Sequence, residues 1–281
     1  ESTADNLGGN VPVYRDGPLI FVRDRAGGAT WCASPSATGN CDVDYVWWPA
    51  ISADGRYVVF DSNFALTADD TDDVARADVY LYDMDTGDVA LLTPTPQLLH
   101  EWDEAYDADI SGDGRYVAFQ LRANNSWLLG LLDRQTGTLT RFPLNPDGFP
   151  FQARSDEPAI SADGRYVAFA HAGDTLLPAD NNGVADVFVY DRLDASVERV
   201  SVAADGSEAD AASGQPAISG DGRYVAFVTA AALVAEDSNG ARDVYRRDRL
   251  TGTTAWVSRN VADLGADSFA PTLSGDGRLV T

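Results

Sequence analysis

The sequence predicts an all-β protein: a five-bladed β-propeller with four-stranded antiparallel blades, closed by strands from both termini. Three observations carry this. One phrase recurs five times at the spacing of a blade. Strand-forming segments follow its copies in a repeated order. No segment shows a helical period.

The phrase reads Ile51-Ser-Ala-Asp-Gly-Arg-Tyr57, Ile110-Ser-Gly-Asp-Gly-Arg-Tyr116, Ile160-Ser-Ala-Asp-Gly-Arg-Tyr166, Ile218-Ser-Gly-Asp-Gly-Arg-Tyr224 and Leu273-Ser-Gly-Asp-Gly-Arg-Leu279. Its aspartates are 59, 50, 58 and 55 residues apart. Each copy reads as a hairpin. Pro-Ala-Ile-Ser is a short first strand, Asp-Gly makes the turn, and Arg-Tyr-Val-Ala-Phe is a β-rich second strand. Third strands follow at Asp78–Asp83, Asp186–Asp191 and Asp243–Asp248. Thr-Gly turns at 86–87, 136–137 and 251–252 lead into fourth strands at Val89–Thr93, Leu139–Phe142 and Thr254–Ser258, and Val197–Ser201 is the fourth strand of its own copy. Four antiparallel strands in about 55 residues is one blade.

The ends complete the count. Pro18–Asp24 aligns with the third strands, and the last copy runs out at Arg278-Leu-Val-Thr281. Five first–second pairs and five third–fourth pairs make five blades, the last joined from both termini, which removes free sheet edges. Residues 1–17 are read as an N-terminal extension and 18–281 as a single propeller domain. A sixth blade outside this stretch stays open.

These residues carry a resemblance. Pro-x-Ile-Ser-x-Asp-Gly-Arg-Tyr-Val-Ala-Phe, followed by Asp-Val-Phe-Val-x-Asp-Arg-x-x-Gly, resembles the TolB-like β-propeller repeat, a WD40-like propeller repeat of exported bacterial proteins. It covers almost the whole chain from about residue 18. The resemblance implies a periplasmic or extracellular protein. Members include translocation-type periplasmic proteins that bind other proteins, and propellers fused to enzymes.

Charge narrows the partners. The 281 residues hold 44 acids against 20 bases, a net charge of -24; every base is arginine and 37 acids are aspartate. A phosphate backbone wants a basic face, so nucleic acid is excluded as a partner. An anionic membrane surface is disfavoured for the same reason. No run approaches 18 apolar residues, so the chain is not read as membrane-spanning. Cations, basic proteins and neutral glycans remain. Two cysteines, Cys32 and Cys41, lie in loop-forming sequence and would form a disulfide in an exported protein; two reduced thiols are the cytosolic alternative.

Two sets of residues are candidate sites. The first lies between second and third strands: Asp180-Asn-Asn182-Gly-Val-Ala-Asp186 and Asp237-Ser-Asn239-Gly-Ala-Arg-Asp243, with a looser copy through Asp70, Asp72 and Asp78. Alternating oxygens around a turn suit a structural calcium ion. The same residues also make plain Asx turns. The second set is the pair of residues before each first-strand Pro or Ala: Trp47-Trp48, Tyr106-Asp107, Asp156-Glu157, Gly214-Gln215 and Phe269-Ala270. First strands line a propeller's channel, so this ring sits at a channel mouth, with Trp102 and Arg154 nearby. Aromatics beside carboxylates suit a sugar or a peptide. The alternative is that the aromatics plug the channel and the acids face water.

Catalysis has less support. Of two histidines, His171 directly follows a second strand and reads as structural. There is no Gly-x-Ser-x-Gly elbow and no zinc spacing. A glycosidase needs two carboxylates, and Asp107 and Glu157 stand in register on consecutive blades. The leading expectation is a monomeric, non-catalytic extracytoplasmic binding or scaffold propeller that recognises a protein or glycan ligand at the channel mouth. The alternative is a carbohydrate-active lectin or glycosidase using the same ring.

Overall fold

The computed structural model describes residues 19–35, 46–71, 76–93, 104–123, 126–145, 147–148, 151, 153–173, 176–178, 180–259 and 267–281. Every element in them is a β-strand, in the predicted order. A short pair comes first, β1 (Phe21–Arg23) with β2 (Thr30–Cys32). Four four-stranded antiparallel sheets follow. Sheet I holds β3 (Val46–Ile51), β4 (Tyr57–Ser62), β5 (Asp78–Asp83) and β6 (Val89–Leu91). Sheet II holds β7 (Glu104–Ile110), β8 (Tyr116–Ala123), β9 (Ser126–Asp133) and β10 (Thr138–Phe142). Sheet III holds β11 (Ser155–Ile160), β12 (Tyr166–Ala172), β13 (Ala185–Asp191) and β14 (Ser196–Arg199). Sheet IV holds β15 (Ser213–Ile218), β16 (Tyr224–Thr229), β17 (Asp243–Asp248) and β18 (Thr253–Trp256). The last copy of the phrase closes a small hairpin, with Leu273 bridged to Val280.

The phrase is the joint of each sheet. In sheet I, Ser52 Oγ donates to Asp54 at 2.5 Å and accepts the Tyr57 amide at 3.0 Å, while Asp54 accepts the Arg56 amide at 3.0 Å. Arg56 then reaches the end of the third strand and grips Asp83 with two nitrogens, at 3.1 and 2.8 Å. The same arginine–aspartate fork recurs as Arg115–Asp133, Arg165–Asp191 and Arg223–Asp248. It ties strand two to strand three across the open end of the sheet, and bidentate geometry makes it directional.

The tyrosine of the phrase joins one sheet to the next. Tyr57 lies between two guanidinium groups, its own neighbour Arg56 (4.8 Å) and Arg134 of sheet II (4.4 Å). Tyr116, Tyr166 and Tyr224 are sandwiched in the same way. Each ring rests on the turn glycine of the following copy. A Cβ on Gly114, whose φ is +72°, would collide with the Tyr57 ring. Backbone bonds complete the joint: Ala53 donates to Gly112, Gly112 to Ala162, Ala162 to Gly220 and Gly220 to Gly275.

Apolar residues fill the space between sheets. Phe60, Phe119, Phe169 and Phe227 occupy one second-strand position and are all fully buried. The first strands contact one another in succession, β3 with β7, β7 with β11 and β11 with β15, so they surround the axis. The β1–β2 pair packs on sheet I through Ile20 and Ala33. The terminal hairpin packs on sheet IV through Leu273 and Val280. Among the described residues, no strand pairing joins these two half-sheets.

Candidate functional site

The ring before each first-strand proline or alanine has an unusual backbone. Trp48, Asp107, Glu157, Gln215 and Ala270 all take a positive φ, between 48° and 54°. The ladder slips at the same place in β3, β7, β11 and β15. A left-handed turn costs a non-glycine residue roughly 1–2 kcal/mol, so something must hold it. A relay of hydrogen bonds does so. Asp61 Oδ1 on β4 accepts the Asp107 amide at 3.3 Å. The Asp107 carboxylate accepts the Glu157 amide. Glu157 Oε2 accepts the Gln215 amide at 2.6 Å, and Gln215 Oε1 accepts the Ala270 amide at 2.8 Å. Each link crosses from one sheet to the next.

This relay encloses a cavity of about 430 Å³ on the axis. Its wall includes Trp48, Tyr106, Asp107, Arg154, Glu157 and Gln215, with Gln120 and Thr272. Five predicted residues therefore meet there: Trp48, Tyr106, Asp107, Arg154 and Glu157. Asp156 does not line it and pairs with Arg154, which does, at 2.5 Å. Two further predicted residues do not line it. Trp47 faces Asp61 in the β3–β4 ladder, and Phe269 lies under the Arg242 guanidinium, 5.4 Å from its ring centre. Trp102 lies outside the described residues.

The acids of the site are held in an unfavourable setting. Burial pushes Asp61 up to about 7. Burial, then the neighbouring Glu157, Asp156 and Asp109, push Asp107 up to about 6. Burial raises Asp109 and Asp156 to about 6 as well. Asp109 anchors the inner wall by accepting the Ile110 and Ile160 amides, both at 2.8 Å. On the other side Trp127 supports the wall: Arg154 stacks on its ring at 4.7 Å, Arg122 at 5.2 Å, and Tyr106 meets it edge-on.

Sequence reasoning missed Asp61, Asp109 and Gln120. The signal was present. Asp61 and Gln120 stand where the other copies have Ala170 and Val228, and Asp109 stands where they have Ala50, Ala159 and Ala217.

The predicted calcium loops have donors of their own. Asp78, Asp186 and Asp243 each accept the hydroxyl of a residue just after the fourth strand: Thr93 (2.7 Å), Ser201 and Ser258 (2.5 Å). Those hydroxyls also accept the amides of Val79, Val187 and Val244 at 3.0 Å, so the aspartates finish the sheet edge. Asn182 and Asn239 donate to Asp186 and Asp243 at 2.7 and 2.9 Å. Asp70 and Asp237 each accept a tyrosine hydroxyl, from Tyr80 and Tyr245. Sheet III has Phe188 at that position, and Arg199 takes over, reaching Asp180 at 3.0 Å, Asp186 at 3.4 Å and Glu208 at 2.5 Å. Among the described residues, no group of three or more His, Cys, Asp or Glu side chains is placed to hold a metal ion. Asp72 and Cys41 lie outside the described residues, so neither the looser loop copy nor the expected bridge from Cys32 is described.

His171 is fully buried, bonded through Nδ1 to Ser155 Oγ at 2.8 Å and flanked by the rings of Phe151 and Phe188. Burial pulls its pKa down to about 4, so it is neutral in the fold.

Four-stranded sheets joined in succession around an axial cavity define a β-propeller. Solved structures place the fold more narrowly. TolB from Acinetobacter baumannii matches with a TM-score of 0.57 at 19% identity, over 93% of this chain and 53% of that one. A TolB from Agrobacterium tumefaciens, described as putative, matches with 0.57 at 19%, over 85% and 73%. The propeller domain of the Trilobed protease from Pyrococcus furiosus, described as having an open velcro topology, matches with 0.57 at 10%, over 93% and 70%. The chain has a TolB-like β-propeller fold and spans about half the length of the first of these structures. No family model and no curated protein sequence matches it.

Proposed function

We propose that this chain is a non-catalytic, exported bacterial binding scaffold: a monomeric five-bladed propeller that engages a protein ligand at the channel mouth. The observation that carries it is the axial cavity, with Trp48 on its wall 61% exposed. A large aromatic open to solvent beside a cavity marks an interaction site. A propeller frame built from inter-sheet joints presents that surface rigidly. The TolB likeness supports a protein ligand in the envelope. The proposal includes ring closure by β1–β2 and the 272–281 hairpin, and a Cys32–Cys41 bridge suited to an oxidising compartment.

The carbohydrate reading is less well served. A glycosidase would need Asp107 and Glu157 free for substrate, and both accept neighbouring backbone amides. Calcium has no part at the sheet III loop in this reading, because the Arg199 guanidinium already bridges Asp180 and Asp186.

The test is site-directed photo-crosslinking. A benzophenone side chain is placed at Trp48 or, as a control, at exposed Leu193 in protein mixed with bacterial envelope extract. One discrete protein adduct from position 48, absent from 193, is the expected result. Equal adducts at both positions, or polysaccharide turnover that Asp107→Asn abolishes, overturns the proposal.

A further inference from the structure

Two members of the ring around the cavity, Trp48 and Ala270, have no side-chain acceptor, and of the two it is Trp48 that carries a large side chain. Asp107, Glu157 and Gln215 each use the side chain to accept the next sheet's amide. Trp48 takes the same strained conformation, with φ 50°, yet an indole offers no acceptor. The Asp107 amide is held by Asp61 instead. A second residue has therefore taken over the bond that position 48 would make. The indole is left exposed on the cavity wall.

The charge of the cavity is unbalanced. Asp107 and Glu157 line it, Asp61 holds the Asp107 amide, and Asp156 and Asp109 raise the proton affinity of Asp107. Arg154 is the one basic residue among those lining it, and it is committed to Asp156 at 2.5 Å and to the Trp127 ring at 4.7 Å. Repulsion between Asp107 and its acidic neighbours is relieved by any cation that enters. The carboxylates are not gathered as a metal cage: no three are placed to share an ion among the described residues. An organic cation needs no such cage. It can lay its charge on an aromatic face and hydrogen-bond one or two carboxylates. About 430 Å³ accommodates a long side chain.

We propose that the cavity seats a positively charged side chain, an arginine or lysine on a basic segment of the partner protein, with its head group on the Trp48 ring beside the Asp107 carboxylate. This rests on the reading above that the ligand is a protein held at the channel mouth. The net charge of -24 steers such a segment inward.

Calorimetric titration with blocked hexa-arginine tests it, with hexa-glutamate and a Gly-Ser hexapeptide as comparisons, at two salt concentrations. Saturable one-to-one binding of hexa-arginine alone is expected. Trp48→Ala should weaken it about ten-fold. Asp107→Asn keeps the amide acceptor and removes the charge, and should weaken it similarly; a double change at exposed Asp85 and Asp205 should leave it unchanged. Thermal melting of each variant confirms that it folds. Equal loss in the Asp85/Asp205 variant means diffuse surface attraction and overturns the proposal. So does displacement by stoichiometric calcium, or no binding. If photo-crosslinking at position 48 still captures a protein while hexa-arginine fails to bind, the channel-mouth reading stands and the charge assignment falls.

Discussion

At the residue scale, the joints rest on a few atoms. Gly114 combines a positive φ with a surface pressed against the Tyr57 ring. Gly114→Ala is expected to cost about 1–3 kcal/mol, because strain and collision act together. Urea unfolding should show it, while the same change at Gly137, with open space around it, should cost less. The cavity acids set a pH dependence. Asp61 is held at about 7, against about 3.9 in an unfolded chain. Its folded-state pKa is raised, so the stability it contributes is present below about pH 4 and is lost as pH rises through 7. Asp107, Asp109 and Asp156 act the same way at about 6. His171, lowered to about 4, acts oppositely: its contribution is present above about 6.5 and is lost as pH falls. Between pH 6.5 and 8 the acids lose more than the histidine still gains. The melting temperature should therefore fall across that window, and Asp61→Asn should flatten the fall.

At the element scale, the loop between second and third strands solves one problem in two ways. Sheets I and IV place a tyrosine hydroxyl on the loop aspartate. Sheet III has Phe188 there and brings a charge instead, on Arg199. Losing one partner of a buried ion pair leaves the other uncompensated, at a cost of about 3–5 kcal/mol. Arg199→Met should destabilise by that order in denaturant melts. Tyr245→Phe should cost less, about 1.5–3 kcal/mol, since one bond to a carboxylate is lost and no charge is removed. Calcium added to chelator-stripped protein gives a further reading. The Arg199→Met variant, with Asp180, Asp186 and Glu208 uncovered, should gain more in melting temperature than the parent.

At the scale of the whole molecule, the question is how the ring ends meet. Ile110 and Ile160 are 5% and 7% exposed, but Ile51 at the equivalent place is 48% exposed. Leu279, at the position of the phrase tyrosines, is 68% exposed, and no heavy atom comes within 4 Å of a Cβ built on Gly55. Docking the hairpin against β3 and pairing it with β1 would cover these together. Closure predicts slow hydrogen exchange at the amides of Arg23 and Val280, which face away from the strands they are paired with. Exchange as fast as in an unprotected loop would mean that the fifth blade does not form.

The fold was legible from local chemistry. A phrase that returns at the spacing of a blade needs only turn glycines, β-rich strands and capping hydroxyls, and all of those are properties of neighbouring residues. The sequence alone also located the ring before each first-strand proline or alanine, because register repeats. It did not show what the ring does. The same positions read equally as ligand contacts or as channel plug. Only the tertiary structure decided that Asp107, Glu157 and Gln215 accept amides from the next sheet, that Asp61 stands in where Trp48 cannot, and that Arg199 answers for a missing tyrosine hydroxyl. Those partners lie up to 58 residues apart in sequence, and are adjacent only because successive sheets pack around one axis.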